Sequence, residues 1–187
     1  SLINIIRKDK KKYKIVLLSA NKNYYQLIKQ AREFNVKNII ISNKKNFEKI
    51  KKKTKYGDIN IFTDFKCFKK VFKKKIDYTM SSIIGIEGLQ PTLDIIKHTK
   101  IIAIANKESI ICGWNLLNKE LKKYNTKFIP VDSEHFSIWF ALQDKLKTES
   151  VQKIYITASG GPFKHKPLNK FKDIKIKDAL RHPNWKM

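Results

Sequence analysis

Short apolar runs separated by longer segments of mixed polarity constrain this chain more than any other feature. The runs are 13–19 (YKIVLLS), 36–42 (VKNIIIS), 60–62 (NIF), 77–85 (DYTMSSIIG), 100–105 (KIIAIA), 127–131 (KFIPV) and 153–158 (KIYITA). They are brief and rich in Ile and Val, the pattern of strands buried on both faces. Between them apolar residues recur at helical spacing. Segment 24–34 places Tyr24, Leu27, Ile28, Ala31 and Phe34 on one face, and 89–98 does so with Leu89, Leu93, Ile96 and the nearby Ile95. Segment 109–124 carries Ile110, Ile111, Trp114, Leu117 and Leu121 in the same way. Pro91 falls in a first helical turn, where proline is tolerated. Strand–helix–strand alternation predicts an α/β fold: a parallel sheet with helices on both faces.

The chain's 187 residues allow one domain, or one domain plus part of a second. A hydrophobic fraction of 42% is enough for a packed core and argues against a disordered basic tail. Cys67 and Cys112 are too few for a disulfide scaffold or a cysteine zinc site, and fit a reducing compartment. No apolar run is long enough to span a membrane, and no signal-peptide pattern is visible.

The formal charge of +25 has two readings. One is a polyanionic partner such as nucleic acid. The other is compositional drift. Of the 41 basic residues 38 are lysine, the arginines being Arg7, Arg32 and Arg181, and Ile and Asn are also plentiful. All three abundant residues have A/T-rich codons, whereas readers of bases favour arginine. Drift is the preferred reading, with neither nucleic acid nor membrane as partner. Both ends read as cut. Residues 2–7 (LINIIR) form a helical pattern with no strand before it, and the chain stops in a Pro/Asn/Trp loop.

In parallel sheets function gathers at the carboxyl ends of the strands, where loops and helix N-termini converge. Several polar motifs fall there. Asn21-Lys22-Asn23 follows the first run and suits a phosphate or ribose, or is an Asn-capped turn. Gly85-Ile86-Glu87-Gly88 permits close backbone approach, or is a tight strand-to-helix turn. Asn106-Lys107-Glu108-Ser109 combines a helix cap, a cation and an acidic first turn. Asp132-Ser133-Glu134-His135 places two carboxylates two residues apart. In an extended segment both would face one hard cation such as Mg2+ or Mn2+; otherwise Asp132 is an N-cap. Ser159-Gly160-Gly161-Pro162 could hold a phosphate or be a simple turn. Arg181-His182-Pro183-Asn184-Trp185 could form a lid over an anionic substrate or be an anchored loop.

The order and spacing of ANKES, PVDSEH, SGGPF and HPNWKM, with Asn21-Lys22-Asn23 and GIEGLQPT at 85–92, closely resemble the 1-deoxy-D-xylulose 5-phosphate reductoisomerase family. The resemblance implies a Rossmann-like NADPH-binding domain over 1–131, its first strand missing, and the beginning of an α/β catalytic domain over 132–187. It implies rearrangement of a phosphorylated ketose and its reduction by NADPH to 2-C-methyl-D-erythritol 4-phosphate, in non-mevalonate isoprenoid synthesis. Asp132 and Glu134 would be ligands of the divalent metal (Mg2+ or Mn2+). Lys107 and Ser133 would contact substrate oxygens, Ser159 and His182 the substrate phosphate, and Trp185 and Met187 the lid. Lys107, Asp132, Glu134 and His182 form the implied catalytic set. Asn21, Lys22 and Asn23 would meet the 2′-phosphate side of NADPH, with Gly85, Asn106, Lys107 and Glu108 lining the rest of the cleft.

The resemblance also implies a homodimer when full-length, in the bacterial cytoplasm or, for a eukaryotic source, a plastid. Four departures stand out. The family's N-terminal glycine-rich turn is absent, as are the third metal carboxylate and further phosphate contacts that lie beyond the position of Met187. Asn21 replaces a usual glycine, asparagine being one of the few other residues that tolerates a positive φ, and Glu87 replaces a small residue. The expectation is therefore an enzyme whose 187-residue piece is inactive alone. The alternatives are a basic nucleic-acid-binding α/β domain and another NADP-dependent dehydrogenase lacking the metal.

Overall fold

The computed structural model describes residues 2–51, 57–142, 151–156 and 161–181. The elements run α1 (Leu2–Lys8), β1 (Leu17–Ala20), α2 (Tyr24–Glu33), β2 (Asn38–Ile41), α3 (Lys44–Lys51), β3 (Asn60–Phe62), α4 (Phe68–Val71), β4 (Ile76–Ser81), α5 (Leu89–Ile96), β5 (Thr99–Ile104), α6 (Lys107–Lys123), β6 (Lys127–Pro130), α7 (Ser133–Ala141) and α8 (Ile176–Ala179). The strands form two parallel three-stranded sheets, β1–β2–β3 and β4–β5–β6. Leu17 lies opposite Asn38 and Ile39 opposite Ile61 in the first. In the second, Met80 pairs with Ala103 and Ile104 with Pro130. Parallel neighbours cannot be joined by a tight hairpin, which is why α2, α3, α5 and α6 sit in the connections. Among the described residues neither β1 nor β4 has a strand bonded to its second side.

The chain divides into two compact units, Ser1–Val131 and Asp132–Met187. The first unit holds the core. Strand β2 shows why its run is continuously apolar. Ile39 and Ile41 pack with Leu27, Ile28 and Ala31 of α2 and Ile50 of α3. Ile40, on the opposite face of the pleat, joins Phe68, Phe72, Ile95, Ile96, Ile102, Ile104, Leu117 and Leu121. Helices therefore cover both faces of the α/β sheet, as the alternation predicts. Each isoleucine so buried stabilises the fold by about 1.5–3 kcal/mol.

Helices α2 and α6 end alike. Asn35 (φ 53°) and Asn125 (φ 48°) take the left-handed conformation. Val36 N–H then donates to Ala31 O at 2.7 Å and Thr126 N–H to Leu121 O at 3.0 Å. Asparagine tolerates this conformation where other side-chain-bearing residues resist it.

The second unit is built differently. It contains α7, a single 3-10 turn at Gly161–Phe163, a six-residue 3-10 helix at Leu168–Asp173, and α8. Phe136 contacts Trp139 and Phe140 with ring centroids 5.6 and 5.9 Å apart. No side chain among its described residues is buried. The expected seventh strand is not formed over 151–156, where Ile154, Tyr155 and Ile156 are exposed. Apolar composition without a hydrogen-bonded neighbour does not make a strand; the remainder of that run lies outside the described residues. No described helix is long and apolar enough to cross a membrane.

Candidate functional site

The carboxyl ends of β4 and β5 are joined by one buried side chain. Asn106, 3% exposed, caps α6 by accepting from Ser109 N–H at 2.8 Å. Its amide nitrogen donates to Gly85 O at 2.7 Å and also to Ile83 O. Both amide hydrogens are thus engaged, so Asn106 shapes the 83–88 loop from within. Gly88 lies against it: a Cβ there would stand 2.6 Å from Ile83 O and overlap the Asn106 amide. Below this, Thr92 Oγ1 donates to Gly88 O at 2.6 Å, so Ser81 Oγ must be the donor in its 2.6 Å contact with Thr92 Oγ1. Gly85 has φ 75°, and the space its Cβ would occupy is open. That combination leaves backbone free to meet a ligand. Glu87 is exposed in the turn Ile86–Gly88, away from the packed side of the loop. Lys107 and Glu108 are exposed in the first turn of α6, where the helix dipole favours an anion.

The carboxyl edge of β1 is more open. Asn21, Lys22 and Asn23 are all exposed. Asn23 caps α2 by accepting from Gln26 N–H at 3.1 Å. Asn21 makes no use of asparagine's tolerance for a positive φ: among the described residues the non-glycine positions with positive φ are Asn35 and Asn125. The reason is that the ladder continues past β1: Ser42 N–H donates to Ala20 O at 3.1 Å and Asn43 N–H to Asn21 O at 3.3 Å. Lys22 O accepts from Tyr24 N–H at 2.9 Å and from the Asn46 side-chain amide at 2.8 Å.

Asp132 follows β6 and caps α7. Of the two geometries open for Asp132 through Glu134, the capped helix forms and the extended pair does not: the helix begins at Ser133 and Glu134 lies in its first turn. Asp132 Oδ1 accepts from His135 N–H at 2.7 Å, and His135 Nδ1 lies 2.8 Å from the same oxygen. Partial burial pushes the Asp132 carboxyl up, but hydrogen bonds from the His135 backbone and ring, the His135 charge and a hydrogen bond with Glu134 outweigh it and hold the group below its ordinary value. Both acidic residues therefore lie at a helix N-terminus instead of along a strand, and Asp132 is ionised at neutral pH. Paired carboxylate oxygens suit a hard divalent ion that takes its other ligands from water or substrate. No group of three potential ligands occurs among the described residues. Ser133 is exposed, and its carbonyl accepts from Ser137 Oγ at 2.6 Å.

Ser159, His182, Trp185 and Met187 lie outside the described residues. Sequence reasoning missed Ser81, Thr92 and Asn46 as supports. Only Thr92, four residues after Gly88, carried a signal, since a threonine can bond the carbonyl one turn back.

Models of the 1-deoxy-D-xylulose 5-phosphate reductoisomerase family match residues 1–113, and models of that enzyme's C-terminal domain match 128–187. The reductoisomerase of Pelagibacter ubique is 57% identical over 189 residues, covering 100% of this chain and 48% of the relative. That of Wolbachia pipientis from Culex pipiens is 38% identical, covering 99% and 47%. The Zymomonas mobilis reductoisomerase solved with NADPH superposes with a TM-score of 0.81 at 29% identity, over 97% of this chain and 48% of that one. A reductoisomerase solved with NADPH, fosmidomycin and magnesium gives 0.77 at 30% identity, over 100% and 48%. The chain thus spans about half the length of the relatives it matches. Over that span, by both family models and by fold, it belongs to the 1-deoxy-D-xylulose 5-phosphate reductoisomerase family.

Proposed function

We propose that this chain supplies the NADPH-binding domain (1–131) and the start of the catalytic domain (132–187) of an enzyme that rearranges 1-deoxy-D-xylulose 5-phosphate and reduces it to 2-C-methyl-D-erythritol 4-phosphate. The observation that carries the reading is positional. Asn21–Asn23, Gly85, Asn106–Glu108 and Asp132–Glu134 each follow the carboxyl end of a parallel strand, where such sheets bind ligands. Relatives solved with NADPH and magnesium add support. Family membership weighs against a nucleic-acid-binding domain. In the proposed domain a further strand would lie between β1 and β4, whose second edges have no partner among the described residues.

NADPH would lie along the 85–88 and 106–108 edge, its 2′-phosphate toward Asn21, Lys22 and Asn23. A divalent Mg2+ or Mn2+ would be held by Asp132 and Glu134. When bound, these groups supply a hydride and Lewis-acid polarisation of the ketose oxygens. The chain's own residues orient the reactants. Asn106 fixes the backbone of the cofactor loop, while Lys107 and Ser133 contact substrate oxygens. His135 holds Asp132 in one rotamer through its backbone N–H and its ring. Ser159 and His182 would take the substrate phosphate, with Trp185 and Met187 over it. We assign the full-length protein to a cytoplasmic homodimer in a bacterium.

The test is Asp132→Ala in the protein at the full length of its relatives. NADPH oxidation dependent on Mg2+ and 1-deoxy-D-xylulose 5-phosphate should fall by several orders of magnitude. Unchanged activity, or activity indifferent to chelation, would point instead to a metal-free NADP-dependent dehydrogenase.

A further inference from the structure

Resting on the reading that Asn21, Lys22 and Asn23 meet the cofactor's 2′-phosphate, we propose that Asn46, on α3, is a positioning residue that sets the preference for 2′-phosphorylated over unphosphorylated adenine nucleotide. It would do so by clamping the backbone from which Lys22 projects.

The turn after β1 is exposed throughout and has no buried side chain to anchor it. Besides the local turn bond from Tyr24 and the cap at Asn23, it is tied to the neighbouring turn at Asn43 N–H to Asn21 O, 3.3 Å, and at the Asn46 amide to Lys22 O, 2.8 Å. The second tie is the shorter, and it reaches the residue whose charge matters. Asn46 is itself held. Its backbone N–H donates to Asn43 Oδ1 at 3.1 Å, and α3 is rooted in the core by Ile50, 0% exposed. The clamp therefore runs from a fixed helix to the carbonyl of Lys22.

A lysine ammonium sits at the end of a four-carbon arm, and ordering that arm on a ligand costs side-chain entropy. If the backbone beneath it also moves, the volume the ammonium explores grows and the phosphate contact weakens. A nucleotide with no 2′-phosphate makes no demand on Lys22 and should be indifferent to the clamp. Selectivity, rather than binding in general, is the quantity Asn46 controls.

Calorimetric titration of the protein at the full length of its relatives, with adenosine 2′,5′-bisphosphate and with adenosine 5′-monophosphate, tests this. The unaltered chain should prefer the bisphosphate. In Asn46→Ala that preference should fall about fivefold, the scale of one hydrogen bond, with monophosphate affinity held within about twofold. Should Asn46→Ala fail to fold, Asn46→Leu, near in shape and lacking a donor, carries the same comparison. An unchanged preference overturns the proposal, as does equal weakening of both ligands, which would mark Asn46 as merely structural. If the unaltered chain shows no preference, the assignment of Asn21–Asn23 to the 2′-phosphate falls, and the role of Asn46 with it.

Discussion

The two sheets end in opposite ways. At the carboxyl edge of β4 and β5 the loop is locked: Ser81, Thr92 and Asn106 are 7%, 1% and 3% exposed, Ser81 bonding Thr92 and Thr92 and Asn106 each bonding the loop backbone. At the edge of β1 the corresponding turn is exposed and rests on individual hydrogen bonds. The same residue type serves both. Asn106 and Asn23 are each helix N-caps, yet Asn106 also holds two loop carbonyls in a buried site, while Asn23 makes one bond in water. The locked edge fixes the shape of a backbone, and the open edge displays charge. A cofactor that must be aligned at one end and recognised by a phosphate at the other needs both.

Gly88→Ala should break the locked edge most severely. Its Cβ would press on the Ile83 carbonyl and displace the Asn106 amide, so a loss of about 3 kcal/mol is expected in urea unfolding. A loss below about 1 kcal/mol would mean that the loop yields easily and that the contrast between the edges is overstated. Asn106→Ala comes next, with a loss of about 2–3 kcal/mol, because it leaves Ile83 O, Gly85 O and Ser109 N–H without their partner where water has poor access. The pair should be strongly non-additive, because removing the Asn106 side chain clears much of the space that the added methyl of Gly88→Ala would need. A double variant as unstable as the two losses combined would show that the collision with the Ile83 carbonyl dominates.

Much of this architecture was legible. Ile39, Ile40 and Ile41 form an unbroken apolar run because β2 is buried on both faces. Apolar residues spaced by three and four marked α2, α5 and α6 because each buries one stripe. Helix α3 escaped notice, since a lysine-rich stretch shows a pattern only through Phe47 and the buried Ile50. At Asp132 the sequence left two geometries open: a carboxylate, a serine and a glutamate fit an extended ligand pair and a capped helix equally well, and tertiary context chose the helix. The clamps by Asn46 and Asn106 were illegible for a different reason. They join residues 24 and 21 positions apart, and no local pattern announces a side chain that bonds a distant carbonyl.

At the open edge the expected effect is smaller. Asn23→Ala removes one exposed cap and should cost about 1 kcal/mol, with Asn23→Ser largely neutral, measured by thermal unfolding. A loss comparable to that of Asn106→Ala would erase the distinction between the two caps.

The smallest expected effect separates the halves by pH. On the side of the second sheet, His98 has a buried Nε2 with no partner, and its ring lies 6.2 and 5.6 Å from those of Phe68 and Phe72. Burial, followed by the charges of Lys97 and Lys69 and opposed by Asp94, holds its pKa below the ordinary 6.5. The unfolded chain therefore binds the proton more readily, so the stability contributed by neutral His98 is complete above pH 6.5 and is lost as pH falls toward the folded value. On the side of the first sheet, hydrogen bonds from Arg7 at 2.7 and 2.8 Å bring Glu33 down from 4.5 to about 2. Its contribution is intact above pH 4.5 and fades only below it. Between pH 6.5 and 4.5 acid should thus loosen β4 and β5 while sparing β1 and β2. Amide exchange, corrected for its intrinsic pH dependence, would show protection falling in the second sheet alone, and His98→Gln would flatten that fall. Equal loss in both sheets, or a fall that survives the substitution, would place the acid sensitivity elsewhere.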